Sequence, residues 1–98
     1  MNALRVWSKA DEVRMWLLCL HPGGGEARLF KEWAGRLPEE IGVAALELPG
    51  RGGRKGEPWA ADVEEAVGAF ADAAAPLLER PVMLYGHSMG AVLALDLA

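Results

Sequence analysis

Residues 82–98 read VMLYGHSMGAVLALDLA, and this stretch decides the fold. Residues 82–85, opened by Pro81, form a short apolar run with the composition of a buried strand. Gly86-His87-Ser88-Met89-Gly90 follows and fits G-x-S-x-G. Residues 91–98 are small and apolar, as at the start of a helix. A strand, a turn and a helix in immediate succession is the setting in which G-x-S-x-G carries chemistry. The serine then sits on a strained turn that lifts its hydroxyl clear of the sheet at a helix N-terminus, where partial positive charge favours a developing anion. The glycines leave space that a β-carbon would fill. The plainer reading makes Ser88 a helix cap with glycines around it.

Upstream, glycine and proline cut the chain into alternating elements. Residues 61–79 carry Val63, Ala66, Val67, Phe70, Ala73, Ala74, Leu77 and Leu78 as a 3.6-residue stripe, with Asp62, Glu64, Glu65 and Asp72 outside it. Residues 41–48, IGVAALEL, predict a buried strand stopped by Pro49-Gly50. Residues 26–37 place Leu29, Phe30, Trp33 and Leu37 on one helical face, ended by Pro38. Residues 13–20, VRMWLLCL, are a continuous apolar run without helical period, again a strand. Strand–helix–strand–helix–strand–helix predicts an α/β fold, a parallel sheet joined by crossover helices. No helix stop precedes Ala98, and three buried parallel strands call for neighbours. Residues 1–98 are therefore expected to be the incomplete N-terminal part of one larger domain.

The chain has 98 residues, 52% hydrophobic and 24% charged, as in ordinary globular proteins and unlike disordered ones. A net charge of −4 gives no footprint for nucleic acid. Cys19 has no partner for an internal disulfide, and no cysteine or histidine cluster suggests a metal. Residues 15–20 are too short for a signal peptide core or a membrane span, and Asp11 and Glu12 precede them. The expectation is a cytoplasmic protein.

HPGGG at 21–25 is the second chemical motif. Acyl transfer at a serine uses two N–H donors aimed at the oxyanion, one from the residue after the nucleophile and one from a loop after an earlier strand. Met89 and the loop 21–25 occupy those places, although HPGGG also suits a plain turn. Neither HPGGG nor GRGGRKGE satisfies the phosphate-binding G-x4-G-K-[ST], and GxGxxG is absent.

Over CLHPGGGEARLFKEWAGRLP, ELPGRGGRKGEP and LYGHSMGAVLALDLA, from about residue 14 to Ala98, the chain resembles type II thioesterases of polyketide and nonribosomal peptide synthetase systems. Those are α/β-hydrolases that remove unwanted acyl groups from the phosphopantetheine arm of carrier proteins. The resemblance implies that Ser88 is the nucleophile and that Met89 and Gly23 are backbone donors to the oxyanion. It implies no cofactor, the acyl group arriving on an acyl or peptidyl carrier protein as partner. The family usually reads P-H-A-G-G where this chain has His21-Pro22-Gly23-Gly24-Gly25, so Pro22 brings a fixed φ and no N–H.

In this fold the triad runs serine, then acid, then histidine. After Ser88 there is one acid, Asp96, and no histidine. His21 reads as a donor or a structural contact, and His87 as a residue inside the elbow facing away from Ser88. Residues 1–98 thus lack a complete triad. Cys19, Trp16 and Trp33 read as core, and Trp59 as a loop residue. Arg51, Arg54 and Lys55 read either as a solvated basic loop or as attraction for an acidic carrier or its phosphate. Rival functions are an oxygen-ester hydrolase (carboxylesterase or lipase) and a truncated, inactive half-domain kept for binding. An open parallel edge would leave the isolated chain marginal or oligomeric.

Overall fold

The computed structural model of the chain describes residues 3–22, 24–48, 52–54, 56 and 63–98. Among the described residues four strands form one sheet: β1 Leu4–Val6, β2 Met15–Leu20, β3 Ile41–Leu46 and β4 Val82–Gly86. Their order is β1-β3-β2-β4. The three strands expected from apolar runs are present and parallel, with Leu18 opposite Ala44 on one side and Leu84 on the other. β1 is an addition and runs antiparallel to β3, pairing Leu4 with Leu46, so the sheet is mixed. Three residues are too few to show an alternation, so β1 left no signal in the sequence.

Alternation along β2 and β3 feeds two cores. Trp16, Leu18 and Leu20 of β2 and Ala44 and Leu46 of β3 point to one face, against Phe70, Leu77 and Leu93. Cys19, Val43 and Ala45 point to the other, against Ala27 and Phe30. The first face is covered by α1 Val63–Ala74 and α2 Met89–Leu97, and the second by a 3-10 helix, Ala27–Gly35.

Two helices depart from the expected periodicity. Residues 27–35 wind at three residues per turn, which aligns Ala27, Phe30 and Trp33 toward the sheet. Leu29, expected on the apolar face, is 55% exposed as a result. α1 ends at Ala74 and continues as a 3-10 helix, Ala75–Glu79, with Pro76 in its first turn. Tightening there keeps Leu77 over the core and turns Leu78 outward. Ala66, Phe70 and Ala74 are buried as the stripe predicts. Among the described residues no helix is long and apolar enough to cross a membrane.

Candidate active site

β4 ends at Gly86 and α2 starts at Met89, so His87 and Ser88 make the whole turn. Ser88 has φ 55° and ψ −116°, and among the described residues it is the sole non-glycine residue with positive φ. Such a conformation costs on the order of 1–3 kcal/mol and persists only where its surroundings impose it. Here they do. The His87 N–H donates to the Leu20 carbonyl at 3.2 Å, tying the turn to the end of β2. The Gly90 N–H donates to the His87 carbonyl and the Ala91 N–H to the Ser88 carbonyl, both at 2.9 Å.

Both glycines of the motif are sterically required. A β-carbon at Gly86 would overlap the Gly90 carbonyl, and one at Gly90 would overlap the Leu20 carbonyl. Ser88 is exposed and stands at the N-cap position of α2, but its side chain makes no capping bond there. The Met89 N–H opens α2, where the preceding turn has no acceptor to offer. Among the described residues it has no hydrogen-bond partner. An exposed hydroxyl and an unspent N–H thus adjoin at the positive end of a helix dipole.

Leu20 pairs with Gly86, so the glycine loop leaves β2 beside the serine turn. Gly23 lies outside the described residues. The Gly25 N–H donates to the Pro22 carbonyl at 2.9 Å. His21 is buried, and both ring nitrogens are engaged. Nε2 accepts the Leu48 N–H at 3.0 Å, and Nδ1 lies 2.7 Å from the Pro22 carbonyl oxygen. An acceptor Nε2 and a donor Nδ1 assign the neutral Nδ1–H tautomer. His21 is therefore a structural contact and not a base for Ser88. His87 is exposed, and Asp96 is exposed on α2.

Sequence reasoning missed Glu47. It is 2% exposed. Its Oε1 accepts the Ala27 N–H at 3.2 Å, and its Oε2 pairs with the Arg5 guanidinium at 3.1 Å. Arg54 donates to the Glu47 carbonyl at 2.8 Å, so this member of the basic loop is anchored and not simply solvated. Gly52, with φ +46°, packs where a β-carbon would overlap Glu47 Oε1. A lone carboxylate inside the apolar run 41–48 was the available signal. Arg51, Lys55, Trp59 and Asp62 lie outside the described residues. A cleft of about 410 Å³ bounded by Arg5, Glu26 and Glu47 does not include Ser88, which stands on open surface. Trp16 is buried and Trp33 half-buried. Cys19 is fully buried, and burial pushes its thiol up to about 12.

Residues 16–98 match the thioesterase domain family. The AMB antimetabolite synthetase AmbE of Pseudomonas aeruginosa is 43% identical over 91 residues, covering 93% of this chain and 4% of its own length. The RedJ thioesterase from the prodiginine pathway of Streptomyces coelicolor superposes with a TM-score of 0.84 at 35% identity. That match covers 94% of this chain and 35% of RedJ. The type II thioesterase BorB from the borrelidin cluster gives 0.77 at 35% identity, covering 96% and 38%. This chain thus spans little more than a third of those two structures.

Proposed function

The chain belongs to the thioesterase domain family, and on that premise we propose that it is the first part of a serine thioesterase domain that clears acyl groups from carrier proteins. Residues 1–98 form the N-terminal part of that single domain. Ser88 is the nucleophile, and the Met89 N–H is one donor to the oxyanion. Gly23, in the glycine loop, is the other. The observation that carries this reading is Ser88, exposed and held at positive φ, with the Met89 N–H beside it unpartnered among the described residues.

In the reaction, Ser88 Oγ attacks the thioester carbonyl of the acyl-S-phosphopantetheine arm and loses its proton to a base. The C–S bond breaks, the proton passes to the sulfur, and the free thiol leaves. Water then attacks the acyl-serine ester, releasing a carboxylic acid and restoring the hydroxyl. The fold's chain order puts the acid and histidine after Ser88. Residues 89–98 hold no histidine, so in this scheme the base comes from outside residues 1–98. The substrate class is supported by relatives named for biosynthetic pathways, RedJ for prodiginine and BorB for borrelidin. An editing role follows, in which stalled acyl groups are cleared and the partner is an acyl or peptidyl carrier protein in the cytoplasm.

The test compares acyl-carrier thioesters with p-nitrophenyl esters as substrates of the polypeptide as its gene encodes it. Preference for the thioester, lost in Ser88→Ala, is the expected result. Preference for the oxygen ester would make it an esterase, and activity surviving Ser88→Ala would remove the serine from the reaction.

A further inference from the structure

Two consecutive residues at the exit of β3 hold the two ends of the glycine loop. Before the loop, the Leu48 N–H donates to His21 Nε2 at 3.0 Å. After it, Glu47 Oε1 accepts the Ala27 N–H at 3.2 Å. The same imidazole reaches the Pro22 carbonyl through Nδ1 at 2.7 Å. Both side chains are almost completely buried, His21 at 1% and Glu47 at 2% exposure.

The local chemistry explains why such residues stand there. Glycine has the widest backbone freedom, and fixing a residue costs about 1–2 kcal/mol of conformational entropy. Residues 23–25 are three successive glycines, a composition with the most conformational freedom to lose on ordering. A donor aimed at a developing oxyanion works only if it is already in place. The Ala27 N–H begins the 3-10 helix and has no acceptor in the turn before it. A buried carboxylate supplies that acceptor as a charge-assisted bond. Arg5 from β1 offsets the cost of burying the charge, at 3.1 Å. Gly52 then closes over the same carboxylate, a place with no room for a side chain.

We propose that Glu47 and His21 are positioning residues that fix the two flanks of the glycine loop, His21–Pro22 before it and Ala27 after it, as acyl transfer at Ser88 requires. This rests on the thioesterase reading above. Glu47 acts at the far end through the Ala27 N–H, and His21 at the near end through Leu48 and the Pro22 carbonyl. Neither touches the substrate. Arg5 holds the buried Glu47 carboxylate from β1 at 3.1 Å, and the segment Gly52–Arg54 becomes part of the loop's support.

Kinetics of the gene-encoded polypeptide on an acyl-carrier thioester test this, with kcat and KM read separately for Glu47→Ala and Glu47→Gln. Glutamine keeps an oxygen for the Ala27 N–H while losing the charge. Glu47→Ala is expected to lower kcat about tenfold to a hundredfold, the scale of a small misplacement. KM should stay within about twofold, since uniform binding is untouched. Glu47→Gln should restore most of kcat. An unchanged kcat in Glu47→Ala, or a glutamine variant no better than alanine, overturns the proposal. Loss of hydrolysis in Ser88→Ala alongside normal Glu47→Ala would sink the tether while leaving the serine enzyme intact. A second measurement needs neither turnover nor a folded variant. Amide hydrogen exchange on the unmodified polypeptide should protect Ala27 and Leu48 as strongly as the interior of β3. Exchange of either amide at the rate of a free peptide overturns the bracket.

Discussion

Gly90 and Leu20 meet backbone to backbone: a β-carbon on Gly90 would overlap the Leu20 carbonyl and come within 2.7 Å of the His21 carbonyl. The start of α2 is thereby seated on the last residues of β2. His87 reinforces the seat by donating to the same Leu20 carbonyl. The serine turn and the origin of the glycine loop are thus packed backbone against backbone, although more than 60 residues separate them in sequence.

Gly90→Ala must displace α2 from this seat, because the obstacle is backbone and cannot rotate away. We expect a loss of about 1–3 kcal/mol, the scale of overpacking. Urea unfolding reads it as a lower midpoint with an unchanged slope. A midpoint equal to the parent's would show that the seat is loose.

Phe70 is 1% exposed and lies where α1 meets the sheet, packed with Leu18, Leu20 and Leu93 in one core. Phe70→Ala should cost about 3–5 kcal/mol through lost burial and the cavity left behind. Equilibrium denaturation monitored by circular dichroism gives the value. A change below about 1 kcal/mol would mean that this core collapses freely around the gap.

Cys19 is fully buried, and desolvation of its thiolate pushes the thiol up to about 12 from 9.0. At pH 8 the folded chain holds roughly one thiolate in ten thousand, against about one in ten when unfolded. Iodoacetamide should therefore label native protein about a thousandfold more slowly than protein in denaturant. The folded pKa lies above the unfolded one, so this contribution to stability is whole below about pH 9 and declines from there to about pH 12. Rapid labelling of native protein at pH 8 would contradict the burial.

Met83 on β4 and Val92 and Leu95 on α2 are 56%, 58% and 80% exposed, and β4 is an edge of the sheet. Apolar side chains beside unpaired backbone favour self-association. Prepared alone, the 98-residue polypeptide should sediment as oligomers, and Met83→Lys with Leu95→Lys should shift it toward monomer. A concentration-independent monomer for the parent would refute this expectation.

The three parallel strands and the serine turn were legible in the sequence because each is specified locally. Residues 41–46 are apolar without interruption, and residues 86–90 place glycine where two backbones must touch. The helices were legible in position but not in winding. Leu29 and Leu78 were expected inside and lie outside, because three residues per turn aligns different side chains than 3.6 does. Tertiary packing makes that choice.

By itself the sequence determined the alternation of strands and helices, the seat of Ser88 on a strand-to-helix turn, and the family resemblance carried by three motifs. Only the tertiary structure decided that β1 joins the sheet antiparallel, that Glu47 is buried against Arg5 and Ala27, and that both nitrogens of His21 are engaged. The reason is physical. A glycine's clearance or a strand's apolar run follows from neighbours in sequence. A buried carboxylate is stable only if a cation 42 residues away and an N–H 20 residues away arrive together, and no local pattern records that meeting.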